Sequence, residues 1–386
     1  MPYYHKLGEI PRKRHVQFRK PDGSLYYEEV FGQEGFSGIQ SILYHTHIPS
    51  AARQYRSLHP VPTEPESDGR TLHYRHFRTG RLSGGDDPIH GRIPLLFNED
   101  LRICIAKPEK SMSYFYRNAD GDEMIFVHQG SGVLESVFGE LPFRPGDYLI
   151  IPIGTTYRMV LEEGTHVQLV VEAAGPIVPP KRYLNRYGQF IEDSPYCERD
   201  IRVPERLITK DEKGEFELHV RQNGQYLAVT LPHHPFDVVG WDGCVYPWAL
   251  NIDDFEPRTG RIHLPPPVHQ TFEGPNFVVC SFVPRLYDYH PEAIPAPYYH
   301  SNIDSDEIIY YVHGDFMSRK GIEIGSITVH PRGLPHGPQP GKMEESIGKK
   351  ETNELAVMID TFRPLRVAKA AVSCEDTAYP YSWLQE

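Results

Sequence analysis

Between Tyr298 and Gly337 the sequence offers two imidazoles and a carboxylate, His300, Glu307 and His336, at spacings that two strands of a small β-barrel could gather around one metal ion. Two histidines and one carboxylate on one side of an ion, with the other positions open, form the ligand set with which non-heme Fe(II) oxygenases bind substrate and O2 together. Further imidazoles stand near this triad. His330 precedes His336 by six residues, and His263 and His269 flank the rigid segment Leu264-Pro265-Pro266-Pro267-Val268. A histidine titrating near neutrality suits proton transfer to and from a phenol, although each of these three could equally serve packing or the surface. His45-Thr46-His47 also offers two ligands on one strand face, but no carboxylate follows at motif spacing and Pro49 interrupts, so it reads as packing or surface.

The elements that must position the triad occur twice. Tyr114-Phe115-Tyr116-Arg117-Asn118-Ala119-Asp120-Gly121-Asp122-Glu123 matches Tyr298-Tyr299-His300-Ser301-Asn302-Ile303-Asp304-Ser305-Asp306-Glu307 without a gap. Gly146 to Tyr157 likewise matches Gly325 to His336, both fitting Gly-x5-Pro-x-Gly-x2-(Tyr/His). In this pattern the glycines and proline turn the strand so that its last residue points inward, which gives His336 a mechanical reason to be a ligand. The first copy keeps Glu123 but places Tyr116 and Tyr157 where the second has His300 and His336, so the first barrel is expected to be metal-free.

At 386 residues, with 36 prolines, 32 glycines and 42 tyrosines and phenylalanines, the chain reads as many short strands joined by turns, in about two or three units. Apolar runs such as Glu123–Val127, Gly146–Pro152 and Val167–Val171 mark buried strands. The expected organisation is mainly β: a strand-rich N-terminal arm and metal-free barrel with its connecting segment over residues 1–235, with a barrel core at about 106–175, then a catalytic barrel and tail over 236–386. Residues 60–69 read as an irregular connection. A net charge of -12 gives no electrostatic support for nucleic acid or anionic membranes as partners. Five scattered cysteines without Cys-x-x-Cys argue against a disulfide framework or thiolate zinc site. No stretch approaches ~18 apolar residues, and the basic N-terminus lacks a following apolar core, so a cytoplasmic setting is expected.

The Gly-x5-Pro-x-Gly-x2-His pattern resembles the second motif of cupins, the double-stranded β-helix or jelly-roll barrels. Pro11–His15, Phe236–Gly243, Pro297–Asn302 and Pro335–Pro338 go further and resemble the homogentisate 1,2-dioxygenase family over most of the chain. That resemblance implies a duplicated cupin fold, trimers or hexamers, and Fe(II)- and O2-dependent opening of the homogentisate ring to maleylacetoacetate in tyrosine and phenylalanine breakdown. It implies His300, Glu307 and His336 as iron ligands, His330, His336 and Phe316 as substrate-pocket residues, and His269 or His263 as the acid/base. The spacing from His300 to Glu307 is one residue longer than the family pattern, which makes Asp306 a rival carboxylate; Glu307 is preferred because it aligns with Glu123. Phe316 stands where a pocket tyrosine is expected. Another dihydroxylated aromatic such as gentisate or a hydroquinone, a non-catalytic bicupin, and a cupin isomerase on another metal are the alternatives.

Overall fold

Alternation along each strand sorts its residues between two packed layers, and the layers close into two barrels. The computed structural model describes residues 3–62, 72–316 and 318–384, so most of the expected connection at 60–69 lies outside the described residues. In the first barrel the chain crosses repeatedly between two sheets. Phe115–Asn118, Gly132–Ser136, Gly139–Phe143 and Thr156–Leu161 lie in a seven-stranded sheet, and Glu123–Gln129, Asp147–Ile151 and Val167–Ala173 in an eight-stranded one. That crossing order is a cupin-type jelly roll.

The second barrel is built on a six-stranded sheet that includes Phe277–Phe282, Asp306–His313, Ile327–His330 and Leu355–Thr361. Across from it, among the described residues, the strand-type pairing includes the bridge His300↔His336 and the short ladder of Arg285–Leu286 with Glu351–Thr352. The duplication holds residue by residue. Tyr116 pairs with Tyr157 as His300 pairs with His336, and Glu123 lies between Ile151 and Glu172 as Glu307 lies between His330 and Asp360. Gly146 and Gly325 both adopt positive φ, 87° and 79°, so the turn that launches the motif strand has the same left-handed requirement in each copy.

The barrels meet through the outer faces of their sheets. Glu123, Ile125 and Val127 point into the first barrel, whereas Met124 and Phe126 join Ile308, Tyr310 and Val357 in a core between the barrels. Tyr148 Oη and Ser281 Oγ, 2.9 Å apart, and Tyr310 Oη and His128 Nδ1, 2.8 Å apart, satisfy the polar groups trapped there. The sheets do not divide at residue 235. Val238–Gly243 pairs with Gln40–His45, Trp248–Asn251 with Asp147–Ile151, Arg75–Phe77 with Ile327–His330, and Arg366–Val367 with Arg92–Phe97. Each half thereby covers edges that the other would leave unpaired.

The N-terminal arm contributes to a four-stranded sheet of His5–Gly8, Val238–Gly243, Gln40–His45 and Tyr27–Gly32. Within it His45 is buried between Asp237 Oδ1 at 2.7 Å and Glu29 Oε2 at 2.9 Å. All five cysteines are free. Among the described residues no helix is long and apolar enough to cross a membrane.

Candidate metal centre and its cavity

Strand Asp306–His313 sends alternate side chains to opposite faces, and this decides which carboxylate reaches the histidines. Glu307 points into the barrel. Asp306 points away, accepting the Arg332 backbone N–H at 2.9 Å and the Leu365 N–H at 2.7 Å. Asp122 does the same work in the first copy, accepting the Ile153 and Ile177 N–H groups at 2.8 and 3.0 Å. Asp306 is therefore a loop clamp, and Glu307 is the carboxylate of the centre.

The two histidines are set opposite each other by their own backbones, since each N–H donates to the other's carbonyl at 2.8 Å. Their rings lie 4.2 Å apart, and the donor atoms of His300, Glu307 and His336 all fall within 4.8 Å of one another. One ion with ligand bonds of about 2 Å can span that spacing. His336 Nε2 is buried without a hydrogen-bond partner and stands 3.3 Å from Glu307 Oε1. Burial would raise the Glu307 pKa, but the three imidazoles of His300, His330 and His336 hold it well below the usual carboxylate range. An anionic oxygen donor beside an orphaned imidazole nitrogen fits a divalent cation.

The first barrel fills the equivalent place with its own cation. The Arg92 guanidinium bonds Glu123 and Glu172, the latter at 2.6 Å, lies 3.2 Å from Tyr157 Oη, and sits over the Tyr116 ring. Tyr157 Oη in turn donates to Glu123 Oε2 at 2.5 Å. Sequence pairing singled out the two tyrosines; it held no sign of Arg92, which arrives from an earlier strand.

His330 is placed differently from the substrate contact expected of it. It is fully buried behind the ligands, with Nδ1 2.7 Å from Glu307 Oε1 and Nε2 3.0 Å from Tyr379 Oη. The carboxylate can only accept, so Nδ1 carries the proton and Nε2 accepts from the tyrosine hydroxyl. Burial pushes the His330 pKa down to about 3, which keeps this ring neutral. Both nitrogens are committed, and His330 orients Glu307. Tyr379→Phe, one step further out than His330, is accordingly expected to loosen a bound divalent metal by about tenfold at most in a chelator-competition titration, the low end of the range for partners of first ligands. An unchanged competition curve would show that Tyr379 does not act on the centre.

His300 and Glu307 of the triad, but not His336, which was also expected as a substrate contact, line a cavity of about 440 Å³ whose wall includes His263, His269, Arg285, Arg319, Glu354 and Asp360. His269 is only 8% exposed, packs its ring 4.8 Å from that of Phe282, and leaves Nδ1 without a partner. Burial and then Arg285 push its pKa down to about 3, so it is a neutral imidazole. His263 sits at the rim, with Nδ1 3.1 Å from Asp288 Oδ2. Phe316 packs on Tyr311 and is not on the cavity wall, although Ser318 and Arg319 just after it are. Burial, then Glu307, raises the Asp360 pKa to about 8, and burial raises that of Glu354. The arginines on the cavity wall are Arg285 and Arg319. Sequence reading missed both, and neither lies in a motif; Asp360 was findable as the repeat partner of Glu172.

Two jelly-roll barrels, one of which carries a two-histidine, one-glutamate triad with Glu307 and His336 buried and His300 half-buried beside a cavity, define a bicupin with a candidate metal centre. The family model described as "Homogentisate 1,2-dioxygenase N-terminal" matches residues 89–252, from the first barrel through strand Trp248–Asn251. A protein of Saccharolobus solfataricus provisionally named a dioxygenase is 44% identical over 99% of both chains. The homogentisate 1,2-dioxygenase of Bradyrhizobium diazoefficiens is 29% identical over 71% of this chain and 63% of its own length. That of Nitrobacter hamburgensis is 29% identical over 68% and 60%. A cupin 2 barrel protein of Leptotrichia buccalis aligns at 9% identity over 76% of this chain and 99% of that one, with a TM-score of 0.38. The chain belongs to the homogentisate 1,2-dioxygenase family.

Proposed function

We propose that this protein is a non-heme Fe(II) ring-cleaving dioxygenase that converts homogentisate and O2 to maleylacetoacetate in tyrosine and phenylalanine breakdown. The observation that carries this reading is the triad of His300, Glu307 and His336, gathered in one barrel and replaced by tyrosines and a guanidinium in the other. Iron(II) held there would supply O2 activation and acidify a bound ring hydroxyl. The chain's own residues do the rest. Arg285 and Arg319 offer guanidinium donors to a substrate carboxylate, and His269, whose Nδ1 has no partner among the described residues, is the first candidate for proton transfer by its place on the cavity wall. Leu264, Pro266, Pro267, Ile309 and Met358 keep the remaining wall apolar and help exclude water. His263, tied to Asp288 at the rim, is the second candidate for proton transfer.

An oxygen electrode with anaerobically iron-loaded protein tests the proposal against a panel of homogentisate, gentisate and unsubstituted hydroquinone. Homogentisate is expected to drive stoichiometric O2 uptake with a ring-opened product, and hydroquinone, which lacks the carboxylate, to turn over at least about tenfold less efficiently. Gentisate turning over while homogentisate fails would replace the substrate. Turnover without O2 consumption would point to an isomerase, and absence of bound iron to a non-catalytic bicupin. The same reading carries assembly as a trimer or hexamer in the cytoplasm; exposed Tyr289, Ile294, Tyr298, Tyr299 and Ile303 near the cavity mouth support a subunit contact.

A further inference from the structure

A second cavity, of about 390 Å³, shares no lining residue with the first. It lies between the N-terminal four-stranded sheet and the outer face of the seven-stranded sheet. The cross-strand pair Tyr116↔Tyr157 faces the barrel interior, so its neighbours Arg117↔Thr156 face outward into this space. Phe31, Leu43, Val220, Leu227, Val229 and Leu231 give it apolar walls.

Arg117 is the anomaly. Its Nε and Nη2 both donate to Thr156 Oγ1, at 2.9 and 2.7 Å; among the described residues no carboxylate forms an ion pair with it, although the charge of Glu29 on the same cavity wall acts on it. A guanidinium has five N–H donors, and in this half-buried residue Thr156 takes only two of them, which leaves the others to solvent or to a ligand in the cavity. The nearby acids are already engaged: Glu29 and Asp237 hold His45, and Asp237 Oδ2 also accepts the His47 N–H at 2.6 Å. We propose that this cavity binds a small carboxylate with an apolar tail, the carboxylate meeting the free donors of Arg117 and the tail lying along Leu227, Val229 and Leu231.

Calorimetric titration of the full chain with octanoate, and with the neutral octanamide, tests this. Wild type and His336→Ala are expected to take up one octanoate per chain, because the site is separate from the metal centre. Binding should weaken at least about tenfold in Arg117→Met and for octanamide, as expected for losing a charged hydrogen-bond pair. Val229→Phe, which fills the cavity with Arg117 intact, should also abolish it and serves if Arg117→Met does not fold. No saturable octanoate binding, equal binding of octanamide, full affinity in Arg117→Met or in Val229→Phe, or loss of binding in His336→Ala would each overturn the proposal.

Discussion

Alanine at His336 is expected to lose stoichiometric iron and ring-cleaving O2 uptake together while the barrel stays folded. The imidazole gives up only a 3.3 Å approach of Nε2 to Glu307 Oε1, and the residue's backbone N–H and C=O keep the bridge to His300 that fixes this part of the barrel. Removing a direct ligand should lower iron affinity beyond the roughly 10–100-fold typical of outer partners. His330 and Glu307 would still hold each other at 2.7 Å, so the remaining side chains need not rearrange. Iron per chain after anaerobic reconstitution, read beside an oxygen electrode and a thermal unfolding curve, gives the answer. Retention of both iron and O2 uptake would remove the centre from His336, and unfolding would leave His300→Ala as the variant to examine.

The second large effect is expected at Arg92, where the consequence is on stability. Arg92→Met removes the cation that Glu123 faces in a fully buried site, whereas Glu172 keeps Arg102 and Arg221. Taking one partner from a buried ion pair typically costs ~3–5 kcal/mol, because the other charge is left without compensation. The loss is expected as a lower urea midpoint with an unchanged slope. Arg92→Met combined with Glu123→Gln should recover much of it, since the amide is neutral and its oxygen can still accept from Tyr157 Oη. If the double variant were no more stable than Arg92→Met alone, the guanidinium would be acting through packing over Tyr116 and not through charge.

These two sites show how far the amino-acid order could be read. The duplication, the β class and the histidine pair are local properties: the motif glycines and proline recur at fixed offsets, and both copies of the motif launch from a positive-φ glycine. The pairing of His300 with His336 follows because Tyr116 and Tyr157 pair in the same register. The choice between Asp306 and Glu307 was not settled in this way, since adjacent residues on a strand differ only in the face they take, and Asp306 declares its face through N–H groups at residues 332 and 365.

What only the tertiary structure decided was whatever comes from distant parts of the chain. Arg92 enters the first barrel, Tyr379 reaches His330, and Arg285 and Arg319 line the cavity, each from outside the repeated motif. Strands at 75–77, 238–251 and 366–367 cross the boundary expected at residue 235 for the same reason. A sequence motif records the turns and alternation that backbone sterics impose over a few residues. Which charge neutralises a buried carboxylate, and which strand covers an open edge, is fixed by burial and hydrogen bonding between segments that meet only in the folded chain.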